Sequence, residues 1–254
     1  MTARTVAAIG SVAVAIATAG CLNFYEVAVE TPIHAKLDVT PFQRVLVAGF
    51  LSGGTKNIDP NTETARLLRS QLRTKSQLRV IDTDAIELVD EVDKRRGATA
   101  PADPQSPDEP KIKTEKDMEA YEAIFQDAEY WKKIGEQFQS PLIVTGSILF
   151  TPVEKSGMGS KLVQSVDQFG RPQFNEVRAF SSLKGYALAP KFVFIDGRTG
   201  AVLYSESFHE EALYQESQTT PALSSYFELM DKLLPGFLNT LSSQKIKGTR
   251  ILLK

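Results

Sequence analysis

In "FQRVLVAGFLSGG", residues 42–54, Val45, Leu46, Val47 and Phe50 form a near-continuous apolar run that ends in turn residues. A strand with one face in water would alternate apolar and polar positions, and this run does not. It reads as a strand buried on both faces. Such a strand needs a layer of structure on each side, so the expectation is an α/β domain with helices covering a sheet.

The residues that follow agree. "NIDPNTETARLLRSQL" (57–72) offers Asp59 as a helix N-cap and Pro60 at the first helical position, with Ala65, Leu68 and Leu72 on one face. "LRVID" (78–82) is a short strand, and "TDAIELVDEVDKR" (83–95) a second helix with Ile86, Val89 and Val92 turned inward. Strand, helix, strand, helix is the order of a sheet containing parallel strands joined by crossovers. After a segment dense in Pro, Ala, Ser and charge (97–116), read as a mobile surface insertion, a long helix is expected over 117–138. Its stripe is Tyr121, Ile124, Phe125, Ala128, Trp131, Ile134 and Phe138, and Trp131 reads as a packing residue.

"PLIVTGSILF" (141–150) is another buried strand, and residues 151–178 are a polar, glycine-containing loop or hairpin excursion. "GYALAPKFVFIDGRTGAVLYSESFHEE" (185–211) gives two strands joined around Asp196–Gly200, where Gly197 and Gly200 suit positive φ. A C-terminal helix begins after Thr220 with Leu223, Phe227, Met230, Leu234, Phe237 and Leu241 inward, and Pro235 is expected to kink or restart it. "TRILLK" (249–254) reads as one more strand. The whole is a mixed sheet of about five strands with flanking helices and a later antiparallel hairpin, one domain over 42–254. Gly135 near a helix end lets the helix pack close to the sheet, and Gly146 within a strand marks a close backbone approach or a bulge.

Composition agrees with an ordinary core: 254 residues, 42% hydrophobic and 24% charged. The 29 Lys and Arg against 31 Asp and Glu build no field of one sign, which argues against nucleic acid or an anionic membrane surface as partner.

The chain has one cysteine, in "AIATAGCLNF" (15–24). Before it, residues 1–20 carry one cationic side chain, Arg4, then an uncharged run rich in Ala, Val and Ile, the layout of a secretory signal peptide. From Val6 to Gly20 the run is shorter than the roughly 20 residues a helical span needs. Ala19, Gly20 and Cys21 resemble the lipobox of bacterial lipoproteins, with Thr18 where a leucine is more usual. That resemblance implies that Cys21 becomes an acylated N-terminus and that the protein is held in the bacterial cell envelope. Leu22 is compatible with an outer-membrane address facing the periplasm. Acyl chains anchor at about 0.8 kcal/mol per buried CH₂. The ordinary secreted alternative leaves a free thiol in an oxidising compartment. Residues 22–41 hold two prolines and no helical period, and read as an extended tether with a possible short strand.

"RVLVAGF", "LRVIDTDAI", "YWKKIGEQFQSPLIVTGSI" and "FVFIDGRTGAVLYSESF" together resemble the periplasmic α/β domain shared by the N-terminal domain of TolB and CsgG-type secretion lipoproteins. The matching places are Lys133–Gly135, Ile143–Ser147 and Asp196–Val202, and they are structural punctuation. The resemblance implies fold and compartment, and through the CsgG-type proteins it raises a pore subunit as an alternative. Each strand of such a pore needs roughly 9–11 alternating residues. A hairpin around "QFGRP" has the place for this, but "EKSGMGSKLVQSVDQ" (154–168) lacks a sustained apolar alternate face.

Chemical signatures are thin. The two histidines, His34 and His209, form no spaced pair, and "HEE" (209–211) reads as a solvated strand end rather than a metal face. "SGGT" (52–55) and "SGMGS" (156–160) do not match the nucleophile elbow, and the former lacks phosphate-loop spacing despite Lys56. No catalytic, cofactor or metal residue is expected. The reading is a non-enzymatic interaction or assembly module whose partner is an envelope protein or the cell wall, homo-oligomers included. Contacts are expected on the two long loops, with Phe169, Arg171 and Phe174 as anchors unless the phenylalanines pin the loop instead.

Overall fold

A computed structural model describes residues 24–97, 111–215, 218, 220–242 and 244–253. The signal segment, Cys21 and positions 98–110 of the insertion lie outside the described residues. The chain divides into two units, Ala35–Ser242 and one made of its ends, Met1–His34 with Ser243–Lys254. In the unit of the ends, β1 (Phe24–Ile33) pairs antiparallel with β8 (Gln244–Leu253), from Phe24 opposite Leu253 to Ile33 opposite Gln244. Within the stretch 22–41, read as an extended tether with a possible short strand, Phe24–Ile33 form a ten-residue strand. Its partner is the far end of the chain, which local periodicity does not reveal.

The larger unit is a mixed α/β domain. Its strands are β2 (Arg44–Gly54), β3 (Arg79–Ile81), β4 (Leu142–Val166), β5 (Pro172–Asp196), β6 (Val202–Ser207) and β7 (Glu210–Gln215). The sheet runs β3-β2-β4-β5-β6, with β7 also on β5. β2 is parallel to β3 and β4, and the remaining pairs are antiparallel. Helices α1 (Pro60–Lys75) and α5 (Ala222–Leu241) cover one face, while α2 (Leu88–Arg95), α3 (Glu115–Tyr121) and α4 (Ala128–Gln137) cover the other.

β2 is buried on both faces, as its run of apolar residues demands. Val45 and Val47 face α1 and α5, Leu46 and Ala48 the opposite helices. A register shift between Val47 and Gly49 then reverses the alternation, so Phe50 joins the first core and Leu51 the second. One extra residue in a strand does this because side chains alternate with period two. Asp59 caps α1 by accepting from the Asn61 amide at 3.1 Å, with Pro60 in the first turn. Across the core, the Tyr226 hydroxyl of α5 bonds Thr64 of α1 and donates to the Pro60 carbonyl at 3.3 Å.

The helix expected over 117–138 is broken into α3, a 3₁₀ turn (Glu122–Gln126) and α4. Asp127 restarts the helix, its carboxylate accepting from the Tyr130 amide at 3.0 Å. The apolar stripe survives the break, with Ile124, Phe125, Trp131 and Ile134 buried. Pro235 sits inside a continuous α5. Of the two hairpin glycines only Gly200 has positive φ, 75°, while a Cβ on Gly197 would strike the Pro141 carbonyl.

Within the 97–116 insertion, Ile112 is fully buried and its carbonyl accepts from the Gly54 amide at 2.9 Å. Lys111 bridges Asp90 at 2.9 Å and Asp93 at 2.7 Å on α2. Thr114 and Asp117 then form a capping box at the start of α3. Hydrogen bonds from the Thr114 side chain and from the Thr114 and Lys113 amides hold the Asp117 carboxyl below its ordinary range. A depressed carboxyl stabilises above its unfolded pKa of about 4, and that contribution disappears as pH falls through the lowered folded value. Asp117→Asn is therefore expected to flatten the loss of melting temperature below about pH 4, and thermal scans at pH 6 and pH 3 check it. An unchanged acid slope would show that the capping carboxylate contributes nothing.

Candidate functional site

β4 and β5 are each 25 residues long and pair along their whole length, from Leu142 opposite Asp196 to Val166 opposite Pro172. Their other neighbours stop much earlier. β2 leaves β4 at Phe150, and β7 covers β5 only from Leu183 inward. Beyond those points the hairpin is a two-stranded ribbon whose outer edges pair with no other strand among the described residues, which is the form the 151–178 excursion takes. Its outer 11 residues per arm extend about 36 Å at roughly 3.3 Å per residue.

Register decides what the ribbon presents. Opposed residues share a face, so Met158 with Phe180, Leu162 with Glu176, Gln164 with Phe174, and Val166 with Pro172 all lie on one side. The two arms thus pool apolar residues that look scattered in each strand alone. Met158, Leu162, Val166, Phe174 and Phe180 are between 67% and 71% exposed. Arg178, opposite Ser160, and Glu176 interrupt this face midway along the arm. The opposite face is made of small and polar residues, with Val163 and Val177 half covered.

The tip is built by Asp167. Its carboxylate accepts from the Phe169 amide at 2.8 Å and the Arg171 amide at 2.9 Å. Gly170 takes φ of 77° and its amide donates to the Asp167 carbonyl at 3.0 Å. Phe169 is 72% exposed, with the Arg171 guanidinium 5.5 Å from its ring centroid. All three anchors named from the sequence therefore lie on the outer ribbon, Phe169 and Arg171 at the turn and Phe174 on the apolar face. Neither phenylalanine is buried to pin a loop. Sequence reading missed Met158, Leu162, Glu176, Arg178 and Phe180, whose only signal is alternation divided between two arms.

A separate cleft of about 490 Å³ lies between α3 and the sheet. The Ser147 hydroxyl donates to Glu122 at 2.9 Å, and the Lys191 ammonium pairs with the same carboxylate at 2.6 Å. One carboxylate thereby engages both the hydroxyl and the amine, tying the 3₁₀ turn to β4 and β5. His209 is exposed at 3.4 Å from Glu211, which also pairs with Lys155. Among the described residues no group of three His, Cys, Asp or Glu is arranged to hold a metal ion. The "SGGT" stretch ends β2, and its Gly54 amide is taken by Ile112. No helix among the described residues is long and apolar enough to cross a membrane.

No protein-family model and no curated protein matches the chain. Similar solved structures include a PelC dodecamer from Paraburkholderia phytofirmans, at 13% identity and a TM-score of 0.37 over 87% of this chain and 100% of that one. Lipoprotein GNA1162 from Neisseria meningitidis is similar at 15% identity and a TM-score of 0.31, over 77% and 98%. A homolog of neuraminyllactose-binding hemagglutinin from Helicobacter pylori follows at 8% and 0.37, over 82% and 87%. At these identities and TM-scores the likenesses carry no argument about this chain.

Proposed function

We propose that this chain is a lipid-anchored bacterial cell-envelope protein that works without enzymatic chemistry as an assembly module facing the periplasm, with the β4–β5 ribbon as its working surface. The observation that carries the reading is the ribbon itself: two strand edges unpaired among the described residues and five large apolar side chains 67–71% exposed. Open edges and exposed apolar patches of this kind are sites of association. Exposed Phe, Met and Arg are the residue types enriched where proteins bind one another. The anchor is Cys21, and the resemblance to TolB and CsgG-type domains supports the compartment.

A pore subunit is the second reading, and the arm length favours it, since roughly 9–11 residues cross a bilayer as a tilted strand. The side chains favour protein. Glu176 and Arg178 fall in the middle of the more apolar face, and an arginine facing lipid at the midplane costs about 2–4 kcal/mol.

Cys21→Ala is expected to abolish incorporation of a palmitate analogue and to move the protein from the detergent phase to the aqueous phase. Wild type that takes no label and is released soluble would overturn the anchored reading. The native mass of the extracted wild type separates module from pore, because a pore requires a large ring.

A further inference from the structure

We infer that the outer edge of β5 pairs antiparallel with the same edge of a second copy of this chain, about a two-fold axis through Val177. This rests on the ribbon being the working surface and names what covers one of its edges. The free edge has sharp limits. It begins after the turn at Pro172 and ends at Ser182, because β7 occupies the edge from Leu183. Val177 is the middle of that interval.

The sequence of the free edge is "PQFNEVRAFSS", and about its centre it complements itself. In an antiparallel pair centred on Val177, Phe174 faces Phe180 of the second copy and Glu176 faces Arg178 of the second copy. Two-fold symmetry repeats both pairs. All four residues lie on one face of β5, since they alternate with period two. Glu176 and Arg178 are exposed and make no ion pair among the described residues, and Phe174 and Phe180 are 69% and 67% exposed. An isologous contact brings a patch against itself, which requires this reversal of charge across the axis. Val177 meets its own mate on the other face.

The alternative of joining copies head to tail, β4 of one beside β5 of the next, is less well matched. Repeating the intramolecular register would place Glu176 beside Leu162 and Arg178 beside Ser160, so neither charge gains a partner. The two-fold arrangement gives each charge a partner and each phenylalanine an aromatic neighbour. It yields a four-stranded antiparallel sheet in the order β4-β5-β5-β4, with the apolar face continuous across the axis.

The test uses the full-length, lipid-anchored chain extracted in mild detergent, with mass read by light scattering. Wild type is expected as a dimer. Glu176→Arg sets arginine against arginine at both pairs, and Arg178→Glu sets glutamate against glutamate. Each is expected to weaken the dimer roughly tenfold or more, because two attractive cross-strand pairs become repulsive. An equimolar mixture of the two variants restores the dimer, as does the double exchange in one chain. A wild type that is monomeric at micromolar concentration, a large ring, or single variants that associate as wild type does would overturn the pairing. A photo-crosslinking residue at Phe174 in intact cells separates this failure from failure of the assembly reading. A self-adduct of twice the chain mass supports both. An adduct only with another protein overturns the pairing and leaves the assembly reading standing. No adduct from Phe174, Met158 or Phe180 overturns both.

Discussion

Trp131→Ala is expected to lower the unfolding free energy by about 3–5 kcal/mol, the range for removing a large buried aromatic. Trp131 has no exposed surface and sits among Leu46, Ile143, Val193 and Ile195 of three strands. Its indole N–H donates to the Ile124 carbonyl at 2.8 Å, which ties α4 to the 3₁₀ turn before it. The Tyr130 ring meets it edge-on at 4.9 Å between centroids. Alanine therefore leaves a cavity and removes one of the two hydrogen bonds that the Ile124 carbonyl accepts, the other coming from the Asp127 amide at 3.2 Å. Trp131→Phe separates the two: it keeps most of the volume and removes one hydrogen bond, at about 0.5–1.5 kcal/mol, while the Ile124 carbonyl keeps the Asp127 amide. Trp131 is the only tryptophan, so urea unfolding should be followed by far-UV circular dichroism. A loss under about 1 kcal/mol for the alanine variant would mean that the second core does not depend on this residue.

Gly146→Ala adds one methyl group and is expected to cost about 2–5 kcal/mol through backbone strain and overpacking. Gly146 lies at the centre of the sheet, where β4 is flanked by β2 and β5. Its φ is 150°, at the edge of what a residue with a Cβ tolerates. A Cβ there would also enter the Lys191 carbonyl oxygen on β5, and a backbone atom in a paired strand cannot swing aside as a side-chain tip can. The same measurement on Gly157→Ala is the control, since nothing lies near the Cβ position of that ribbon glycine. Equal, small losses in both variants would show that the sheet relaxes around Gly146.

Much of the domain core was legible because its signals are local. Asp59 followed by Pro60 is a helix start whatever else surrounds it, and the α1 stripe of Ala65, Leu68 and Leu72 is buried as its spacing implies. Gly135 reads as a close approach and Gly146 as a close approach or a bulge, and a Cβ at the two positions would meet the Gly197 and Lys191 carbonyls. The break between α3 and α4 was not legible. Tyr121 to Ile134 keep helical spacing across it, while the interruption depends on Asp127 capping α4 and on Trp131 reaching the Ile124 carbonyl.

The candidate site lies at the other extreme. Read singly, the 154–168 arm shows Met158, Leu162, Val163 and Val166 among serines, glycines and lysines, and no convincing apolar face. Only the register, with Met158 opposite Phe180 and Gln164 opposite Phe174, places the apolar residues of both arms together. The same pairing shows where β2 and β7 leave the strands, and so where the edges open.

By itself, then, the sequence determined the α/β class, the first strand and helix, the burial of Trp131 and the small-residue contacts, because neighbours within a few positions supply those constraints. Only the tertiary structure decided the reversal of alternation in β2, the joining of the two chain ends as β1 and β8, and the open ribbon. Each depends on which distant strand lies alongside, and a hydrogen-bonded register between distant segments is not written in the periodicity of either one.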